Sequence, residues 1–365
     1  MTSRVQSKLS VGIVLPGLSR VASGGYKVIY EYASHMAKHG DDVTIYHAPR
    51  FVDWPLQDSP PIRERASDVV RHTLPRSAGP TWFNLAQEVK VRNRYRLGAS
   101  DLRGHDILVA SAAETAPVVA RASSEQPVPG AYFIQHFEEW VGRDRVARTW
   151  DLPLQHVVIA PWLADISTGL GRSPMLVPNA ISAADFPVGP PVVSRPRHVL
   201  ALVSDKSFKR TDIAVEVLNA LAEDRADFSG ATFGTIPRPP GLHPSIAHVQ
   251  SPTPAQLQEL YQSSRVYLCC SDAEGWHLPP AEAMASGSVV VSTHIPGVIA
   301  YGEGIALFAP AGDASGLLHQ IYEALDDDER AQELADLGAA RMRAYTPDAA
   351  ARTFRETLRT IVERS

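Results

Sequence analysis

Ser271-Asp-Ala-Glu274-Gly-Trp-His-Leu-Pro-Pro-Ala-Glu282-Ala-Met-Ala-Ser-Gly287 sets two carboxylates eight positions apart with a Gly/Pro loop between them. The run before it, Val266-Tyr-Leu-Cys-Cys-Ser271, and the run after it, Ser288-Val-Val-Val-Ser-Thr293, are short, apolar and rich in strand formers. The stretch is therefore predicted to be the loop and helix of a strand-loop-helix-strand unit. Pro279 and Pro280 suit the first helical positions, where a missing N–H costs nothing, and Gly287 ends the helix about two turns later. This reading puts Glu282 in the first helical turn and Glu274 on the loop above the strand's carboxyl end. In open parallel sheets ligands bind at that end, and helix N-termini there favour phosphate.

The same alternation runs through most of the chain. Val11 to Leu15 is strand-like, Pro16 to Gly25 a loop, and Val28, Ile29, Tyr32, Ala33, Met36 and Ala37 recur at helical spacing before Gly40. Asp42 to Tyr46 completes a β-α-β unit. Residues 50–105, rich in Arg and Pro, break the pattern and hold one expected helix from Phe83 to about Leu97. Strands are expected again at Asp106–Ser111, Ala131–His136, His156–Ala160 and Met175–Pro178. Residues 182–197, with Pro187, Pro190, Pro191 and Pro196, read as a linker. The alternation then restarts with a strand from His198 to Ser204 and a helix from Thr211 to Asp224. Strands from Gly230 to Ile236 and from Ile246 to Gln250 follow. Thr253-Pro-Ala-Gln256 has capping-box spacing before the next helix. An Ala306–Phe308 strand follows the Ser288 strand, and the remainder, from Asp313, is helical with a break near Thr346-Pro347. Two doubly wound α/β halves in series are implied.

With 365 residues, 44% of them hydrophobic, the chain has enough material for two ordinary domains. A net charge of -5 and a pI near 6.2 argue against a nucleic-acid partner, whose footprint is a basic surface. The only cysteines, Cys269 and Cys270, are adjacent on a strand and face opposite ways, so they form neither a disulfide framework nor a metal site. Val11–Leu15 is too short for the apolar core of a signal peptide, and no run is long enough for a membrane span. A cytoplasmic location is the expectation. Asp326-Asp-Asp328 has Asp-x-Asp spacing but falls in a polar turn, and Gly169-x-Gly171 lacks the strand and third glycine of a dinucleotide fingerprint.

Two such halves and the Glu-x7-Glu loop resemble the GT-B fold of retaining glycosyltransferases of family 4. The match runs in order through Gly24-Gly25, Val177-Pro-Asn179, Leu260-Tyr261 and the Glu274–Gly287 stretch. It continues through Ile295-Pro296-Gly297 and Pro310-Ala-Gly312-Asp313. It is tight from about 257 to 313, and residues 50–105 have no counterpart. The resemblance implies an N-terminal Rossmann-like acceptor-side domain over 1–185 and a nucleotide-sugar-binding domain over 186–345, with an interdomain cleft. A C-terminal helix over 346–365 is expected to pack back on the first domain. His277 stands where the family commonly has a small residue. The segment Ser204-Asp-Lys206-Ser-Phe-Lys209-Arg210 stands where the family places an Arg and a Lys for the donor diphosphate.

A sugar nucleotide offers a ribose diol, a diphosphate and a hydroxyl-rich ring, and each needs a different partner. Glu282 as an ionised carboxylate can accept two hydrogen bonds from the diol, although a lone glutamate near a helix start is favoured by the helix dipole alone. Glu274 would reach the sugar and stabilise positive charge developing at its anomeric carbon. The backbone N–H groups of Gly275, Trp276, His277 and Leu278 would bind phosphate oxygens or sugar hydroxyls. Lys206 and Lys209 are expected to neutralise the leaving diphosphate, with Arg210 as a further donor contact. Gly24 and Gly25 would let the backbone approach the ligand, and the resemblance puts His136 near the donor sugar. Lys90, Arg92, Arg94 and Arg96 lie in or beside the expected Phe83 helix, where their alternate spacing does not give one basic face. A solvated surface, an anionic acceptor and peripheral membrane contact remain open for them. The function implied is sugar transfer with retention from a nucleotide diphosphate donor to a hydroxyl of a glycan, lipid-linked or natural-product acceptor. No cofactor and no tightly bound metal are expected. A nucleotide-sugar epimerase and a non-catalytic sugar-nucleotide-binding subunit are the alternatives on the same scaffold.

Overall fold

The computed structural model describes residues 8–20, 23–54 and 79–365. By internal contacts the chain forms two compact units. One runs to Asn179 and takes back Asp348–Ser365, and the other is Ala180–Pro347.

In the first unit the described strands are β1 (Ser10–Leu15), β2 (Asp42–His47), β3 (Lys90–Asn93), β4 (Ile107–Ala110), β5 (Gly130–Ile134), β6 (Gln155–Val158) and β7 (Met175–Leu176). They form one sheet in the order β3-β2-β1-β4-β5-β6-β7, with every neighbouring pair parallel. The central strands read as unbroken apolar runs because parallel sheets are covered on both faces; β4 and β5 are buried throughout. Helix α1 (Gly24–Lys38) turns Val28, Ile29, Tyr32, Ala33, Met36 and Ala37 inward. It stops where Gly40 takes φ +90°, a left-handed geometry that glycine adopts without strain. Helices α2 (Ala116–Glu125), α3 (Arg143–Trp150) and α4 (Pro161–Gly169) follow β4, β5 and β6.

The helix expected over Phe83–Leu97 is not formed. Lys90–Asn93 is instead strand β3, paired with β2 from Thr44↔Lys90 to His47↔Asn93. The hydrogen bond from Arg94 N to His47 O extends the ladder. A free edge beside β2 and the β-branched Val89 and Val91 outweigh a weak helical period. The change of period changes the charge pattern: side chains alternate between two faces of a strand. Lys90 and Arg92 are therefore exposed on one face of β3 with half-buried Val91 between them, and Arg94 and Arg96 are exposed just beyond the strand's end.

In the second unit the strands are β8 (Arg197–Leu202), β9 (Phe228–Gly234), β10 (Ala247–Gln250), β11 (Val266–Cys269), β12 (Val289–Thr293) and β13 (Leu307–Ala309). Their order is β10-β9-β8-β11-β12-β13, again all parallel. The intervening helices are α5 (Thr211–Asp224), α6 (Pro254–Ser263), α7 (Leu278–Ala285), α8 (Pro296–Gly302), α9 (Ala314–Asp326) and α10 (Asp328–Met342). Thr253 and Gln256 close the expected capping box at α6. Cys270 packs into the core cluster that includes Leu218 and Leu317, while Cys269 faces the other side of the sheet. Among the former linker residues, Arg195 is buried and donates to Pro190 O, Ser264 O and Ser286 O at 2.9, 2.7 and 2.9 Å. It thereby satisfies carbonyls left open at the ends of α6 and α7.

The last helix, α11 (Pro347–Arg364), belongs with the first unit. Phe354 is buried against Tyr32 and Phe133, with ring centroids 5.0 and 5.1 Å apart. Burying one such ring stabilises by roughly 1.5–3 kcal/mol. The buried Asp41 carboxylate binds Arg355 and Arg359 of the same helix.

Both sheets have the doubly wound order, reversing direction at β1/β4 and at β8/β11. The loops leaving the two strands at such a reversal diverge and open a crevice at their carboxyl ends. In the second unit those are the loops after β8 and β11, which carry Lys206–Arg210 and Ser271–His277.

Candidate active site

The two loops of the second unit are tied together by main chain. Asp272 N donates to Phe208 O at 2.8 Å. Thr211 holds the first loop closed, accepting from Ser204 N at 2.9 Å and donating to Ser204 O at 2.8 Å. A short 3-10 turn, Ser207–Lys209, then delivers the Lys209 side chain to Glu274. Their Nζ and Oε1 atoms are 2.5 Å apart, and both side chains are largely buried.

His277 completes the cluster. It is 4% exposed, with Nε2 at 3.0 Å from Lys209 Nζ and 3.4 Å from Glu274 Oε1. Nδ1 lies 3.3 Å from Cys269 Sγ. Burial, followed by the Lys209 charge, outweighs the pull of Glu274 and lowers the pKa of His277 to about 3, so the ring is neutral at neutral pH. An ammonium has only donors, so Nε2 must be the acceptor, which places the ring proton on Nδ1 facing the sulfur. Burial works against the charge on Glu274, but the Lys209 charge paired with it overcomes this and holds the carboxyl below its usual range.

Glu282 sits one residue beyond the first helical turn that the sequence suggested. Helix α7 begins at Leu278, and Pro279 and Pro280 occupy its second and third positions, which also lack intrahelical N–H acceptors. Glu282 is 8% exposed and its Oε2 accepts from the buried Tyr261 hydroxyl at 2.9 Å. Gly275 is buried and Leu278 half-buried. The Trp276 side chain turns inward, 4.5 Å from the Tyr301 ring and 5.6 Å from that of Tyr345. Only main-chain groups of Trp276 are thus left to serve a ligand.

The basic residues are not equivalent. Lys209 is in the cluster. Arg210, left-handed at φ +49°, pairs with Asp212 and Asp272. Lys206 is exposed, and among the described residues it forms no ion pair with Glu274 or Glu282.

In the first unit Gly24 and Gly25 open α1, and the Gly25 carbonyl accepts from Gln135 Nε2 at 3.2 Å. A Cβ on Gly25 would press on that same amide. His136, next in the chain, donates from Nδ1 to Phe137 O at 2.9 Å and lies against Trp140 and Trp162. The structure therefore gathers the glycine pair and His136 at one carboxyl edge. Near them Glu138 accepts from Ala113 N, and burial raises its pKa to about 7.

Four neighbours had no assigned role in the sequence reading: Tyr261, Cys269, Gly297 and Glu138. Tyr261 and Gly297 fall in stretches that match the family pattern, so the signal was present. Nothing local marks Cys269 or Glu138. Of the rejected motif, Asp326 pairs with Arg225 and Asp328 with Arg265, while Asp327 caps α10.

Residues 198–327 match the family model described as Glycosyl transferases group 1. The whole chain has the GT-B fold. It is similar to sucrose-phosphate synthase from Thermosynechococcus elongatus, with TM-score 0.74 at 14% identity over 98% of this chain and 100% of that one. It is also similar to Anabaena HepE in complex with UDP and glucose, with TM-score 0.71 at 13% identity over 96% and 100%. The α,α-trehalose 6-phosphate synthase of Burkholderia multivorans superposes with TM-score 0.68 at 13% identity over 98% of both chains. No curated protein matches the chain by sequence.

Proposed function

We propose that the protein is a retaining glycosyltransferase that moves a sugar from a nucleotide diphosphate donor to an acceptor hydroxyl. The observation that carries this is the convergence of Glu274, Lys209 and the Tyr261-bound Glu282 at the β8/β11 reversal, inside the segment that matches the family model. Glu282, oriented by the Tyr261 hydroxyl, accepts the ribose diol. The loop from Gly275 to Leu278 and the start of α7 meet phosphate and sugar hydroxyls. Lys209 takes up negative charge on the leaving diphosphate, which in this class of reaction is the group whose charge grows most in the transition state. Glu274 faces the sugar and stabilises the oxocarbenium-like carbon. The acceptor is bound by the first unit, and its hydroxyl attacks on the face that the phosphate leaves, with a phosphate oxygen taking its proton. The reaction uses no tightly bound metal. HepE, whose structure carries UDP and glucose, makes UDP-sugars the first donors to try.

Calorimetric titration with UDP and UDP-glucose tests the site. Glu282→Ala is expected to weaken donor binding by about 10- to 100-fold, the cost of losing charge-assisted hydrogen bonds. Lys209→Ala is expected to lower kcat by about 100-fold or more. Unchanged binding and turnover in both variants would remove the assignment.

Contact with an anionic membrane surface through the first unit belongs to the same reading, supported by the exposed basic residues in and just beyond β3. Cosedimentation with phosphatidylglycerol vesicles should occur at low salt, fade at high salt and be lost in an R92Q/R94Q/R96Q variant. Absence of binding by the unaltered protein at low salt would end this part.

A further inference from the structure

His277 carries an unusual side chain for its place in the motif, yet the ring does not enter the space above the loop. It is turned down between β11 and the first loop, and its carbonyl accepts from the buried Tyr301 hydroxyl at 2.7 Å. What it touches there is Lys209. An ammonium has three hydrogens in fixed tetrahedral directions. His277 Nε2 takes one at 3.0 Å, and Glu274 Oε1 stands 2.5 Å from the Nζ as an ion pair. The ammonium is thus held between two buried side chains, one of them a hydrogen-bond acceptor.

We propose that His277 is a positioning residue: as a fixed acceptor beside the Glu274 carboxylate, it holds the Lys209 ammonium in place to meet the donor diphosphate. The inference rests on the reading of Lys209 as the diphosphate lysine. Its physical advantage is that a lysine carries large rotamer freedom, and ordering it before the ligand arrives removes that cost from binding. The acceptor must also be uncharged. A carboxylate at 277 would leave the cluster with a net negative charge facing a diphosphate, and a cation there would repel Lys209. A small residue would leave the ammonium with the Glu274 ion pair alone and freedom to swing. Imidazole with its proton turned to Cys269 meets both conditions.

His277→Gln places an amide oxygen near the position of Nε2, whereas the amide of His277→Asn is too short to reach Lys209. UDP binding is measured for both, alone and combined with Lys209→Ala, with uridine as the probe lacking phosphate. The expected result is a Kd for UDP about tenfold higher in His277→Asn and close to the unaltered value in His277→Gln. Uridine binding should be unmoved, and His277→Asn should have no further effect once Lys209 is alanine. A lysine 15N-ammonium NMR signal, protected from exchange in the unaltered protein and in His277→Gln and lost in His277→Asn, is expected even without ligand. Equal UDP affinity in all three proteins, or an Asn effect that persists in the Lys209→Ala background, overturns the proposal. Failure of the unaltered protein to bind UDP, UDP-glucose or the corresponding guanosine and adenosine diphosphates would instead overturn the donor reading on which it stands.

Discussion

At the scale of the residue, the site is legible where the chemistry is sequential and hidden where it is spatial. Glu274 and Glu282 stand out because their spacing is bound to a strand end and a helix start that can be read from local pattern. Their partners cannot be read in that way. Lys209 and His277 are 68 positions apart, and only the pairing of β8 with β11 brings their loops together. The pair of lysines in the first loop look alike in sequence, and it is the 3-10 turn that separates half-buried Lys209 from exposed Lys206. Gly297 is a further case. It lies in the Ile295-Pro296-Gly297 stretch, but its purpose is visible only in the packing: a Cβ there would lie 2.5 Å from the Glu274 carbonyl oxygen and 2.9 Å from its Cβ. Gly297→Ala must therefore displace the backbone that carries the Glu274 carboxylate. Overpacking of this kind costs about 1–3 kcal/mol. The expected outcome is a lower melting temperature together with weaker UDP-glucose binding; a variant with native values of both would show that the α8 start does not constrain Glu274.

At the scale of the element, the second unit is closer to its sequence pattern than the first. Helix α5 spans the expected residues, and Thr253 and Gln256 make both bonds of the capping box. These succeed because caps and periodicity act over three or four residues. The error at Phe83–Leu97 has the opposite origin. Four residues of edge strand carry too little period to be recognised, and their conformation is fixed by a partner, β2, more than 40 positions earlier. The consequence goes beyond secondary structure, since basic residues that would be scattered around a helix are exposed at alternate positions in and just beyond a strand. The early start of α7 is a smaller error of the same sort: proline is tolerated through the third helical position, so two prolines do not locate the start to a single residue. The region that read as a linker shows what composition leaves out. Its prolines were visible, but not that Arg195 would bind the ends of two helices from within it.

At the scale of the whole molecule, the two units hold their protons differently, and this gives them different responses to acid. In the second unit burial lowers the pKa of His277 to about 3 and lowers that of His198 as well, while Glu274 lies below the ordinary carboxylate range. Each binds a proton more readily when unfolded. The stability they contribute is present above the unfolded pKa and is lost as pH falls toward the folded one. For His277 the window runs from pH 6.5 down to about 3, at about 1.4 kcal/mol per pH unit. The first unit has histidines of the same kind, with burial lowering His35 and His105 and taking His156 to about 4. It also has two carboxyls moved the other way: burial raises Glu114, and takes Glu138 to about 7. A raised carboxyl takes up its proton in the folded state first, so between pH 7 and its unfolded value near 4.5 it gains stability as pH falls and offsets the histidines. Amide hydrogen exchange, corrected for the intrinsic pH dependence and read by peptide, should therefore show unequal losses between pH 7 and pH 5. Protection of β11 and β12 should fall by about 2 kcal/mol from His277 alone, and protection of β4 and β5 by less. In His277→Gln, where position 277 no longer titrates, the fall in the second unit should shrink by that amount. An equal or larger loss in β4 and β5, or an undiminished fall in the variant, would mean that His277 is not the buried neutral base whose geometry holds Lys209.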